Sequence, residues 1–473
     1  MYRSTLSLLL AGASLASAAL QVDFGSISSI KAAAHDVASD VMFYYKGNQP
    51  GETPGLLGRP PPAGEYYWWT GAILWSTMLD YWHYANNKTY NSIVREALLW
   101  QNGHESNRWN LPFLPLNVSA QAGNDDQAFW ALAAMQAAEF RIPDPPKGEP
   151  GWIELAQGVF NSQVQRWDSK TCGGGLRWMI VPTSKGYNLK NTASNAAFFT
   201  LAARLARYTD NQTYTGWAEK TWTWLSDVGL MDKDSRIFDL LVVDQDCTKV
   251  NKFQLSYDAG LLLQGAAYMY NHTTDSNQAT WRTRLGRLAN TTLATFFSDG
   301  PLVEIACEGS KSITCNSDMV FYKGITMRAL ASAATLAPFL RDQLMREALR
   351  PSAEAAIKTC DGGVNGRECG FRWAEPGAGE KKTGVPMEMN ALSAVLGSLV
   401  DDDRAYHPLA TNESENANRG GGARSGGSQI GSESQTGTGS GAGDGADGDG
   451  KSAGATTHVA VGLVVAAFVA ALA

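Results

Sequence analysis

An apolar, small-residue-rich helical pattern recurs along the chain, in the segments Tyr66–Tyr84, Asp125–Phe140, Thr192–Tyr208, Leu255–Tyr270, Val320–Leu336 and Pro386–Val400. Aligned on Trp69, Asp126, Asn195, Asp258, Lys323 and Glu388, the six segments follow one another at 57, 69, 63, 65 and 65 residues. Between them lie amphipathic segments with spaced Trp and Arg, such as Trp217–Leu225 and Trp281–Leu288, and one more, Ile27–Tyr45, precedes the first repeat. Gly and Ala at i, i+3 and i+4 let the recurring helices approach one another closely, whereas the intervening ones keep a charged face for solvent. The economical arrangement is an all-α fold, an (α/α)6 barrel of six inner and six outer helices. A solenoid of helical hairpins is the competing fold, but it would show shorter repeats of about 34 to 47 residues.

Both ends of the chain depart from this pattern. Arg3, the apolar run Leu6–Leu15 and Ala16-Ser17-Ala18 predict a secretory signal peptide over residues 1–18. The run is shorter than the about 20 residues of a spanning helix, and Gly12, Ser14 and Ser17 break it. At the other end Val459–Ala473 is an unbroken apolar tail, preceded by a polar spacer and by the small residues Asp444-Gly445-Ala446. That order is a GPI-attachment signal, with Asp444 as the ω position. Residues 412–452 are almost wholly Gly, Ser, Asp, Glu, Thr, Ala and Asn, a composition that cannot bury enough apolar surface to fold, and predict a stalk. Its Gly443–Gly448 stretch matches G-x-G-x-x-G, but no strand precedes it and no helix follows, so it implies no nucleotide site. One folded domain is thus expected over residues 21–407.

Sequons at Asn87, Asn117, Asn211, Asn271, Asn290 and Asn412 agree with export and predict surface positions. The six cysteines also suit an oxidising compartment. Their short loops favour Cys307 with Cys315 and Cys360 with Cys369, which leaves Cys172 for Cys247.

Charge narrows the partners. With 39 Lys and Arg against 46 Asp and Glu, the net charge is -7, and there is no basic block for a nucleic acid. The six His and six Cys show no H-E-x-x-H or C-x-x-C spacing, so neither a metal nor a cofactor is expected.

In such a barrel the N-terminal ends of the inner helices share one mouth, where unpaired N–H groups and helix dipoles meet. The sequence puts there Trp68-Trp69, Gly123-Asn124-Asp125-Asp126, Asn191–Asn195, Ser256-Tyr257-Asp258, Phe321-Tyr322-Lys323 and Glu388-Met389-Asn390. Several of these are N-cap types, and Thr192 or Ser194 reads as a cap. One Asp suffices for a cap, however, and Asp125-Asp126 are two. Two carboxyls about 5 to 5.5 Å apart are the equipment of a retaining glycosidase, one the nucleophile and the other the general acid/base. Mutual repulsion raises one pKa and divides those roles. A D-D-x-x-D metal-diphosphate motif is excluded by Phe129. Tyr66, Tyr67, Trp68, Trp69, Trp109, Trp130, Trp178 and Trp373 offer faces for sugar C–H groups or for the core.

Glu65–Trp69, Asn124–Ala133, Gly174–Trp178, Lys190–Asn195 with Leu201–Arg204, and Tyr322–Ile325 together resemble glycoside hydrolase family 76, in its fungal GPI-anchored cell-wall branch, over about residues 21–403. The resemblance implies an (α/α)6 barrel, with Asp125 as nucleophile and Asp126 as acid/base. Their place at the mouth makes Trp68, Trp69, Asn124, Asn195, Tyr257, Asp258 and Lys323 the candidate sugar-binding residues. Asp258 is a departure, since relatives often carry Asn there. The implied donor is an α-1,6-mannosyl or GPI-core glycan, and the implied acceptor is wall glucan. The expectation is therefore transfer of GPI-linked glycoproteins onto the wall, with hydrolysis by an endo-α-1,6-mannanase as one alternative and a non-catalytic wall lectin as the other.

Overall fold

The computed structural model describes residues 19–102, 113–115, 118, 121–298, 300–308, 314–375, 383–400 and 409–412. The signal peptide, Trp109, Asn117, Asp444 and nearly all of the stalk and tail lie outside the described residues.

The six recurring segments are helices: α2 (Trp68–Ala85), α4 (Asn124–Glu139), α6 (Thr192–Thr209), α8 (Ser256–His272), α10 (Tyr322–Leu336) and α13 (Val385–Gly397). Each packs against the next, and α13 packs against α2, so the ring closes. Their small residues permit this. At Gly265 of α8 a Cβ would lie 2.5 Å from the Phe199 ring of α6, so only glycine lets these two helices approach so closely. Because every face is enclosed, even polar side chains of α6 such as Ser194, Asn195 and Thr200 are buried.

The outer layer is α1 (Ile27–Tyr44), α3 (Asn91–Gln101), α5 (Trp152–Gln165), α7 (Gln212–Asp227), α9 (Asp275–Phe296), and a last segment made of α11 (Pro338–Leu344) and α12 (Arg350–Lys358). Each turns one apolar stripe to the ring and the rest to solvent. In α9, Trp281, Leu285, Leu288, Thr292 and Phe296 are buried at helical spacing. The fold is the (α/α)6 barrel expected.

One element has no counterpart in the sequence reading. Strands β1 (Leu189–Asn191), β2 (Leu240–Val242) and β3 (Val250–Asn251) form an antiparallel ribbon, with Lys190 opposite Leu241 and Leu240 opposite Asn251. Strands of two or three residues are too short to show alternation.

At the C-terminal ends of the inner helices the barrel is closed by buried polar side chains. Arg204 pairs with Glu139 at 2.6 Å, the Tyr268 hydroxyl donates to Glu139 at 2.9 Å, and Arg328 pairs with Asp80. These contacts lie opposite the starts of the inner helices. Disulfides join Cys172 to Cys247, Cys307 to Cys315 and Cys360 to Cys369. Asn211, Asn271, Asn290 and Asn412 are exposed, and Asn87 is half-buried.

Candidate active site

The start of α4 sets the centre of the mouth. Gly123 precedes it in extended conformation, and a Cβ there would stand 2.1 Å from Asp125 Oδ1 and 3.0 Å from Trp178 Nε1. Glycine thus allows the Asp125 carboxyl to fold back over the helix start. The Gly123 N–H donates to Asp126 Oδ2 at 2.7 Å, and the Asp126 N–H donates to Asp125 Oδ1 at 3.0 Å. Both carboxyls are consequently held by the unpaired donors of one helix terminus.

The neighbouring helix fixes the rest of Asp125. Asn191 Nδ2 donates to Asp125 Oδ2 at 2.8 Å, and Ser194 Oγ accepts the Asp125 N–H at 3.2 Å. Asn191 is also the N-cap of α6, accepting the Ser194 N–H at 3.3 Å. Neither Thr192 nor Ser194, the residues expected to cap, does so: Thr192 Oγ1 donates to the Phe238 carbonyl, and Ser194 turns to Asp125. The cap lies one residue earlier because Asn191, the last residue of β1, still has extended backbone.

Three further carboxyls converge here. Asp318, just before α10, accepts from Trp69 Nε1 at 3.3 Å. Asp239, just before β2, accepts from Asn251 Nδ2 at 3.2 Å. Asp258, in the first turn of α8, is 1% exposed, and neither of its oxygens has a hydrogen-bond partner among the described residues. Beside it the Tyr257 ring stacks on Tyr322, with centroids 3.9 Å apart. Trp69 packs on Phe129 and Phe321, which turns its indole N–H to Asp318.

So many acids in one place cannot all ionise. Burial pushes Asp125 up to about 6, against the lowering effect of the Asn191 hydrogen bond. Asp126 is held well above the usual carboxylate range, by burial first and then by the adjacent Asp125 charge. Burial also lifts Asp318 to about 6 and Asp239 to about 7. Asp258 is raised strongly, by burial and then by Asp239 and Asp125. Proton sharing of this kind suits acid/base chemistry on a neutral polyol. No group of three or more His, Cys, Asp or Glu among the described residues is arranged to hold a metal ion.

Of the residues expected at the mouth, Asp125, Asp126, Trp69, Tyr257 and Asp258 are brought together. Trp68, Asn124, Asn195 and Lys323 direct their polar groups into the fold. Trp68 Nε1 donates to Gln101 at 2.8 Å, and its ring stacks on Trp130. Asn124 donates to the Arg177 carbonyl at 2.8 Å and accepts from Arg166 at 2.8 Å, which ties the 176–178 segment to α4. Asn195, fully buried, exchanges hydrogen bonds with the Leu176 backbone at 2.8 and 3.1 Å. Lys323, also fully buried, pairs with Glu308 at 2.8 Å and donates to the Phe371 carbonyl. Trp130 and Trp373 are core residues. Asn191, Asp239 and Asp318 are the members that sequence reasoning left out as site residues. Asn191 stood inside a quoted motif, while the other two precede their elements outside the helical repeat.

Comparison with known proteins shows the family of the chain. The model of glycosyl hydrolase family 76 matches residues 29–412. A mannan endo-1,6-alpha-mannosidase of Saccharomyces cerevisiae is 41% identical over 88% of this chain and 87% of its own length. Another protein of that description, from Candida glabrata, is 44% identical over 75% of this chain and 76% of its own. The crystal structure of Dfg5 from Chaetomium thermophilum in complex with glucosamine superposes with a TM-score of 0.77, at 42% identity, over 84% of this chain and 95% of that one.

Proposed function

This chain belongs to glycosyl hydrolase family 76, and from that premise we propose that it is a retaining endo-α-1,6-mannosidase. The observation that carries the reading is the Asp125-Asp126 pair at the mouth, with Asp125 fixed by three hydrogen-bonding neighbours and Asp126 pushed toward its protonated form by burial and by the adjacent Asp125 charge. Asp125 attacks the anomeric carbon of the bound mannosyl unit. Asp126 gives its proton to the departing glycosidic oxygen, the C–O bond breaks, and a mannosyl ester remains on Asp125. Asp126, now ionised, takes a proton from water as that water attacks the ester, which restores both carboxyls. Neighbouring residues on one helical turn suit a retaining mechanism, since an inverting one needs about 6.5 to 9.5 Å between carboxyls for a water. Trp69 and Tyr67 offer faces to the sugar ring, and a protonated Asp258 offers a hydroxyl to a sugar oxygen.

The names of the relatives support cleavage. Transfer to wall glucan, expected from the resemblance and from the stalk and tail, has no such support, and hydrolysis is therefore the proposed reaction. Three disulfides support an extracellular location, and the C-terminal signal supports a GPI anchor at the plasma membrane and wall. The test is incubation with α-1,6-mannan oligosaccharides, with and without β-glucan oligosaccharides, and product analysis by mass. Shorter mannosides with new reducing ends are expected. A donor-acceptor conjugate as the main product would replace hydrolysis by transfer. Binding without any cleavage would leave a lectin.

A further inference from the structure

The outer wall carries a groove that the reaction does not use. It has a volume of about 560 Å³ and lies between Asn290, Leu293 and Phe297 on one side and Gln343, Arg346 and Pro351 on the other. Its origin is local. Pro351 has no N–H to give to the Glu347 carbonyl, and its ring would collide with that carbonyl in a regular helix. The chain between α11 and α12 therefore widens into a five-residue π turn, Met345–Leu349, which turns Arg346 and Glu347 outward.

Asn290, the first residue of the sequon Asn290-Thr291-Thr292, stands on the edge of this groove. Gln343 Nε2 donates to Asn290 Oδ1 at 3.1 Å, which fixes the amide and leaves Nδ2, the atom that takes a sugar, for attachment. Asn87 and Asn211 likewise engage only their Oδ1, with Thr89 and with the α7 start, but neither lines this groove, and Asn271 Nδ2 donates to the Leu336 carbonyl at 3.1 Å. The groove's lining is that of a carbohydrate seat. Leu293, Phe297 and Pro351 supply an apolar floor for the C–H face of a pyranose. Gln343, Arg346 and Glu347 supply amide and charged groups for hydroxyls and an N-acetyl group. The volume falls in the range of ligand sites, about 300 to 1,000 Å³. A covalently attached sugar has an effective concentration of the order of millimolar, so modest complementarity is enough to hold it.

We propose that an N-glycan on Asn290 lays its first two N-acetylglucosamine units in this groove and completes the outer wall of the barrel. The inference requires only export of the chain and is independent of the reaction assigned above. The test uses the full chain expressed in a host that keeps its N-glycans in the high-mannose form. The native protein is digested with an endo-β-N-acetylglucosaminidase, which cuts between those two units, and each site is followed by glycopeptide mass spectrometry. The Asn290 glycan is expected to be cut about tenfold more slowly than those on Asn211 and Asn412, equivalent to about 1.4 kcal/mol in favour of the seated state. After denaturation all should be cut at one rate. Ala294, exposed on the groove wall, gives the control: Ala294→Trp fills the space and should bring the Asn290 rate to that of the others. An unmodified Asn290, cleavage of the native protein at the Asn211 rate, or slow cleavage that persists unchanged in Ala294→Trp would each overturn the proposal.

Discussion

Asn191 is where the account is most exposed to test, because one side chain does two separable things. Its Oδ1 caps α6, and its Nδ2 donates to Asp125 Oδ2 at 2.8 Å. A hydrogen bond to a charged group contributes about 1.5 to 3 kcal/mol, and at 1.36 kcal/mol per unit that is about 1 to 2 pKa units. In Asn191→Ala the Asp125 carboxyl should therefore rise from about 6 to about 7 to 8. The nucleophile must be ionised, so the acidic limb of the pH profile of kcat/KM, which reports the free enzyme, should move up by the same about 1 to 2 units. At a pH below both limbs, activity should drop by about 10- to 100-fold. The cap would be lost as well, at about 1 kcal/mol of stability. Asn191→Asp separates the two effects: it keeps a good cap, removes the donor and sets a second charge beside Asp125, so it should move the limb without the capping loss. The assay is kcat/KM against pH on an α-1,6-mannoside, paired with thermal melts. An acidic limb at the wild-type position in both variants would refute the reasoning, because Asn191 would then be a cap and nothing more.

Three other outcomes follow from the same geometry. Asp258→Asn should lower activity yet raise the melting temperature at pH 7, because the unfolded chain releases this proton near pH 4 while the folded one retains it, a cost that grows as pH rises and vanishes below about pH 4; equal melting temperatures of variant and wild type from pH 4 to 8 would show that the carboxyl is solvated. Arg204→Ala leaves Glu139 buried without its counter-charge at the floor of the barrel and should cost about 3 to 5 kcal/mol in denaturant unfolding. Replacing Cys172 and Cys247 by Ala opens a loop of 75 residues and should cost about 4.5 kcal/mol, against about 2.5 kcal/mol for the eight-residue Cys307–Cys315 loop; the reverse order in urea melts would argue against loop entropy as the source.

The ring was legible in the sequence because enclosure leaves a mark: a helix packed on all sides has to be apolar and small-featured, and six such segments at similar spacing imply closure. Asp125 and Asp126 were legible because two adjacent acids exceed what a cap requires. Lys323 shows the limit. A lysine at the start of an inner helix looks like a mouth residue, yet its partner Glu308 comes from a connection whose path carries no periodic signal. Asn195 is similar, since its task is to hold the Leu176 backbone, and the sequence does not show that this segment passes beside α6. Asp239 and Asp318 precede β2 and α10 in irregular chain, and their approach to Asp125 depends on tertiary contacts alone.

The central claim is that Asp125 forms a covalent bond to the sugar while Asp126 moves the proton. The most direct measurement is incubation with a mechanism-based mannoside that traps the glycosyl-enzyme, followed by peptide mapping of the labelled protein. One mannosyl label is expected, on Asp125. The same label should form at an undiminished rate in Asp126→Asn when the leaving group is activated enough to need no acid. A label on Asp126, or turnover of the mannoside with no covalent species at any stage, would contradict it.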